Sequence, residues 1–127
     1  MPTFPVSARK AEPAPLECGT WASRDAATVV DALAHRGEFF RVLQQTERSQ
    51  TAVMTVGPGA DAGPAEVHDA DQIVYVVEGE AIVKLGDDEH KAGPGALVMI
   101  PAGTRHHVRN PGAAPLFFVT VYAPPEY

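Results

Sequence analysis

A chain of 127 residues, 45% hydrophobic and 20% charged, has the size and composition of one globular domain with a single core, and no second domain is expected. Its formal net charge of −6 argues against nucleic acid or an anionic membrane as the main partner, and no run approaches the ~20 apolar residues of a membrane-spanning helix. The opening residues 1–10 lack the apolar stretch of a secretory signal and the one cysteine, Cys18, excludes an internal disulfide, so a cytoplasmic setting is expected. In chain order, Pro2, Pro5, Pro13 and Pro15 exclude a regular helix over residues 1–22, which read as an extended arm. Trp21 either anchors that arm on a neighbouring subunit or packs on its own barrel. Cys18 reads as a small packing residue. Residues 23–35 are the one helical candidate, with Ser23 as cap, Asp25 in the first turn, Val29, Val30 and Leu33 on the apolar face, and Gly37 past the end. The division expected is an N-terminal arm and short helix over 1–36 and a β-barrel over 37–127.

From Gly37 onward the pattern is β. Residues 38–45 and 51–56 read as an antiparallel pair joined by the polar turn 46–49. Gly57-Pro58-Gly59 breaks the second strand, and residues 65–68 read as a short strand. Residues 72–78 and 81–85 form a hairpin, a short strand covers 89–91, and the last strand, 116–122, stops at Pro124-Pro125. Many short strands separated by Gly/Pro turns predict an all-β sandwich or barrel. Between the last two turns lies the most informative segment, Gly95 to Asn110. Leu97 to Ile100 reads as a buried strand. Pro101 ends it, and Gly103 permits a tight turn. His106, Val108 and Asn110 then alternate onto one face of the returning strand.

The spacing of this segment is Gly95, five residues, Pro101, one, Gly103, two, His106, three, Asn110. It resembles the second motif of the cupin family without a mismatch. The family's first motif is present in altered form: residues 72–79 resemble its Glu-to-Gly run, with Gln72 in place of Glu and Gly79 at the end. Counting back places His68 at the second histidine position, Glu66 at the first, and Ala60 at the opening glycine. The resemblance implies a double-stranded β-helix (jelly-roll) cupin barrel and a metal site of Glu66, His68, Gln72 and His106. In this variant set Glu66 supplies the anionic ligand that Gln72 no longer can. Glu66 and His68, two apart on a strand, share a face. Gln72 reaches that face if the chain turns at residues 69–71. Two imidazoles, a carboxylate and an amide oxygen suit Mn(II), Fe(II) or Ni(II), with Zn(II) left open.

His107 points away from His106 and reads as a surface or sheet-packing residue, His90 as solvated, and Asn110 as structural. The pocket core is expected from Val53 or Met54, Val74, Val76, Val108 and Phe117 or Phe118, with Met54 and Tyr122 lining the cavity. Tyr122 is the one further acid or base expected on the pocket face. The function expected is a metal-dependent enzyme on a small oxygenated organic molecule, of isomerase, hydrolase or dioxygenase type. The alternative is a non-catalytic metal-binding or small-ligand-sensing module. The expected partners are that small molecule and, from the family resemblance, a second copy in a homodimer.

Overall fold

The computed structural model describes residues 27–127. The N-terminal arm, Cys18, Trp21 and the Ser23 cap lie outside the described residues. Within them the helix expected over 23–35 is reduced to one 3-10 turn, Ala32–His35. Asp31, not Ser23, caps it, its carboxylate accepting from the Leu33 amide at 3.1 Å. The physical reason is visible in the apolar face. Val29 is 98% exposed, so that face has no core to pack on, and the β-branched run Thr28-Val29-Val30 holds little helix propensity by itself.

Eight strands follow: β1 Phe40–Gln45, β2 Gln50–Val56, β3 Asp71–Glu78, β4 Ala81–Leu85, β5 Asp88–Ala92, β6 Leu97–Ile100, β7 His106–Arg109 and β8 Leu116–Ala123. They form a five-stranded sheet in the order β1-β2-β8-β3-β6 and a three-stranded sheet in the order β5-β4-β7, with antiparallel pairing throughout. This is the two-sheet arrangement of a double-stranded β-helix. Alternation along each strand puts Val74 and Val76 of β3, Phe118 of β8 and Ile100 of β6 against Val83 of β4 and Val108 of β7 in one buried cluster. Phe117 and Phe118 are both buried, as are Val53, Val74, Val76 and Val108. Fully burying a side chain of this size contributes ~1.5–3 kcal/mol.

Two connections set the site. Segment 59–68, expected as a strand over 65–68, makes only isolated bridges, Asp61 to Arg109 and Glu66 to His106. Gly63 and Pro64 interrupt any longer ladder. The backbone nevertheless runs alongside β7: Glu66 and His106 exchange both amide bonds at 2.9 Å, and Gly103 donates to the His68 carbonyl at 2.9 Å. Gly103, at φ +83°, makes the turn that brings this amide round. Asn110 is buried and structural. Its amide donates to the carbonyls of Val56 and Ala114 at 3.0 and 2.8 Å, and its oxygen accepts from Gly112.

Candidate metal centre

The cluster between the sheets is apolar along most of its length and becomes polar at one end. β3 enters the sheet there with Gln72, whose Cα pairs with Tyr122 of β8 and Ile100 of β6. β7 begins there with His106, and the irregular segment delivers Glu66 and His68. The chain bends at Asp69 and Ala70 before β3, the turn that Gln72 requires to reach the same face. A cavity of about 270 Å³ opens at this end, and Glu66, His68, Gln72, His106, Met54 and Tyr122 all line it.

Glu66, His68 and His106 each offer a ligand atom, and the three atoms lie within 4.8 Å of one another. The His68 Nε2 to Glu66 Oε1 distance is 3.3 Å, against ~3–3.4 Å for two atoms that share an ion at ~2.1 Å. The two imidazoles stand 4.8 Å apart, centroid to centroid, tilted by 53°. His106 Nδ1 lies 3.0 Å from the Thr104 carbonyl, which can only accept. The proton therefore sits on Nδ1, and Nε2 keeps its lone pair. Burial pushes the His106 pKa below the ordinary imidazole value, against the opposing Thr104 carbonyl, and so favours the neutral, ligating form. His68 and His106 are buried, while Glu66 stands partly in solvent at the mouth.

Gln72 completes the picture through what it lacks. Its Nε2 donates to Thr120 Oγ1 at 3.0 Å and makes a longer contact with the Tyr122 hydroxyl at 3.4 Å. Its Oε1 is buried and meets no hydrogen-bond donor among the described residues. An orphaned carbonyl oxygen costs stability unless something electropositive meets it. A divalent ion in the lined cavity would be such a partner, and two imidazoles, a carboxylate and this oxygen would make a donor set that fits a first-row ion. Burial also raises the Tyr122 phenol well above its ordinary pKa, so it stays a neutral donor.

Two site residues were missed by sequence reasoning. Beyond the Pro124-Pro125 stop, residues 126–127 return to the cavity. Glu126 Oε2 lies 3.3 Å from His68 Nδ1, and the Tyr127 hydroxyl lies 3.4 Å from Glu66 Oε1. Tyr127 packs edge-on against Phe40 and Tyr122, with centroids 5.0 and 5.2 Å away. The only sequence signal was a carboxylate and a phenol on a short tail, which carries no information about direction. His107 flanks the mouth and pairs with Asp61 at 3.2 Å, and His90 is exposed.

The fold and the site define a small β-barrel with an imidazole–carboxylate group at its open end. Comparison with known proteins shows the family to which this barrel belongs. The family model for the cupin domain (Cupin_2) matches residues 52–122, and the chain belongs to the cupin family. It is similar to the uncharacterized protein YrkC of Bacillus subtilis (strain 168), with 31% identity over 103 residues, 76% of this chain and 55% of that protein. A protein of Acanthamoeba polyphaga mimivirus, L612, is 32% identical over 92 residues, 68% of this chain and 57% of its own length. The chain thus spans just over half the length of these curated relatives. Among solved structures, BH2720 from Bacillus halodurans superimposes with a TM-score of 0.75 at 31% identity, over 80% of this chain and 84% of that one. TT1209 from Thermus thermophilus gives 0.66 at 29% identity, over 75% and 96%. Among the described residues, no helix is long and apolar enough to cross a membrane.

Proposed function

We propose that this cupin holds one divalent transition ion through Glu66 carboxylate, His68 Nε2, His106 Nε2 and Gln72 Oε1, and acts on a small oxygenated organic molecule. One observation carries the reading. The unpartnered buried Oε1 of Gln72 belongs to the same cavity as the three converging ligand atoms. Mn(II), Fe(II) or Ni(II) suits this mixed oxygen and nitrogen set better than Zn(II). The ion would supply Lewis acidity toward a substrate oxygen.

The chain's own groups do the rest. Met54, Val108 and Phe118 form an apolar wall that limits water around the bound molecule. The Tyr122 and Tyr127 hydroxyls stand at the cavity as neutral donors, both held protonated by burial. Glu66, partly in solvent, is the group able to exchange a proton with bulk water. A non-catalytic binding module is the second reading. It is favoured by the absence, among the described residues lining the cavity, of a carboxylate other than Glu66 to act as a free base. A homodimer belongs to the same proposal.

The test is the absorption spectrum of Co(II)-loaded protein titrated with oxalate, a bidentate oxygen ligand. A saturable shift of the visible bands would show an ion open to substrate oxygens. A spectrum unmoved at saturating oxalate would sink the substrate-binding reading. Turnover of a panel of hydroxy and keto acids by the Mn(II), Fe(II) and Ni(II) forms then separates enzyme from binding module.

A further inference from the structure

The segment after β8 is tied down by a residue far from it in sequence. Gln50 opens β2 and is 1% exposed. Its side-chain oxygen accepts from the backbone amides of Glu126 and Tyr127 at 3.2 and 3.1 Å, and its amide nitrogen donates to the Tyr127 carbonyl. The same nitrogen donates to Gln45 Oε1 at 2.9 Å. Gln50 thereby uses both ends of its amide on the segment, mimicking a strand partner. Tyr127 adds an aromatic anchor, its ring set against Phe40, Tyr122 and His68.

This fastening places one functional group. Glu126 Oε2 stands 3.3 Å from His68 Nδ1, on the side of the ring opposite Glu66, whose Oε1 is 3.3 Å from Nε2. Each imidazole of the site then has an oxygen of its own beside Nδ1: the Thr104 carbonyl, hydrogen-bonded to His106, and the Glu126 carboxylate, at ion-pair distance from His68. An acceptor at Nδ1 keeps the proton there and leaves Nε2 as the free lone pair. A carboxylate in that position also makes the opposite nitrogen a stronger donor to a metal.

We infer that Glu126, fastened beside the cavity by Gln50, is a positioning residue that fixes His68 in its Nδ1–H tautomer with Nε2 presented to the metal. The inference rests on the metal reading above for its purpose but not for its geometry. Glu126 touches neither the cavity's ion position nor a substrate. It acts through His68, and Gln50 acts through Glu126.

The experiment pairs two readouts on the full chain, wild type, Glu126→Gln, Glu126→Ala and Gln50→Leu. Long-range ¹H–¹⁵N correlation spectra of the metal-free proteins at pH 8, where an ordinary imidazole is neutral, report the His68 tautomer. Calorimetric titration with Ni(II) reports affinity. The wild type should show a single Nδ1–H tautomer at His68. Glu126→Ala should show the averaged shifts of mixed tautomers and bind Ni(II) about 10–100-fold more weakly. Glu126→Gln keeps an acceptor oxygen and should keep the tautomer, with a smaller loss of affinity. Gln50→Leu should reproduce the Glu126→Ala spectrum, and a Gln50→Leu, Glu126→Ala double variant should lose nothing more. Gln50 is buried and its variant can fail to fold, in which case the two Glu126 variants decide. An unchanged Nδ1–H tautomer in Glu126→Ala, or Ni(II) affinity within twofold of wild type, would overturn the inference. A wild type that binds no Ni(II) would instead remove the metal reading, and the tautomer comparison would still decide the role of Glu126.

Discussion

Replacing Gln72 with Leu should make the metal-free protein more stable. The side chain is buried, and the contacts it would give up are the Nε2 bond to Thr120 at 3.0 Å and the longer one to the Tyr122 hydroxyl at 3.4 Å. A bond of that kind contributes ~1 kcal/mol net. Against the loss stands the relief of Oε1, a buried acceptor with no partner, which costs ~1–3 kcal/mol as long as it stays unmet. Leu is close to Gln in size and adds apolar contact toward Ile100, its register partner on β6. The balance is a gain of about 1 kcal/mol, which in a domain of this size raises Tm by ~3–5 °C. The same change removes a metal ligand, so the rise in Tm on adding ion should shrink. In the wild type that rise corresponds to ~2.7 kcal/mol when the ion is at 100 times its Kd. Differential scanning calorimetry of chelator-treated protein, with and without Ni(II), measures both. A metal-free Tm at or below wild type, with the metal-induced rise intact, would refute the assignment of Gln72 as a ligand kept at the expense of stability.

Other outcomes follow from the same structure. Gly79→Ala should destabilise by about 2–4 kcal/mol, because Gly79 sits at φ +87° and an added Cβ would meet the Pro115 carbonyl and stand 2.8 Å from Leu116 Cα; a urea midpoint near wild type would contradict this. The pH dependence of metal-free stability should carry a His106 component. Burial holds that imidazole below its ordinary value of 6.5, so the unfolded chain takes the proton more readily. The contribution is therefore complete above pH ~6.5 and lost as pH falls below it. Tm measured from pH 8 to pH 5 should fall less steeply in His106→Gln, and parallel curves would deny the shift. Tyr122 should not ionise with ordinary phenols. The 295 nm absorbance rise between pH 9.5 and 11 should be unchanged in Tyr122→Phe, whereas loss of one tyrosine's amplitude would mean that the ring is not held as buried as the structure has it.

The strands were legible because their signals are local. Alternation bounded 81–85 and an apolar run closed by Pro101 bounded 97–100 as β4 and β6 are observed, but Leu97 and Met99, read as buried, are exposed. Motif spacing brought His68 and His106 together correctly, since the turn at Gly103 and the bend before Gln72 are short-range devices. Elsewhere a local signal gave way to the context. The helix over 23–35 had a cap and an apolar face, yet in the described part that face meets no core. The strand over 65–68 was interrupted by Gly63 and Pro64 just before it. The tail escaped altogether. Its direction depends on Gln50, 76 residues before Glu126, and on an aromatic cluster with Phe40. No periodicity encodes a side-chain amide that imitates a strand, so Glu126 and Tyr127 became visible only in three dimensions.

Whether Glu66, His68, Gln72 and His106 together hold one ion is tested most directly by elemental analysis of untagged protein purified without chelator, beside a Gln72→Ala, His106→Ala double variant. About one equivalent of Mn, Fe or Ni per chain is expected in the wild type and none in the variant. A wild type that stays free of metal, even after reconstitution with each ion in turn, would contradict this expectation and leave a polar pocket in a barrel.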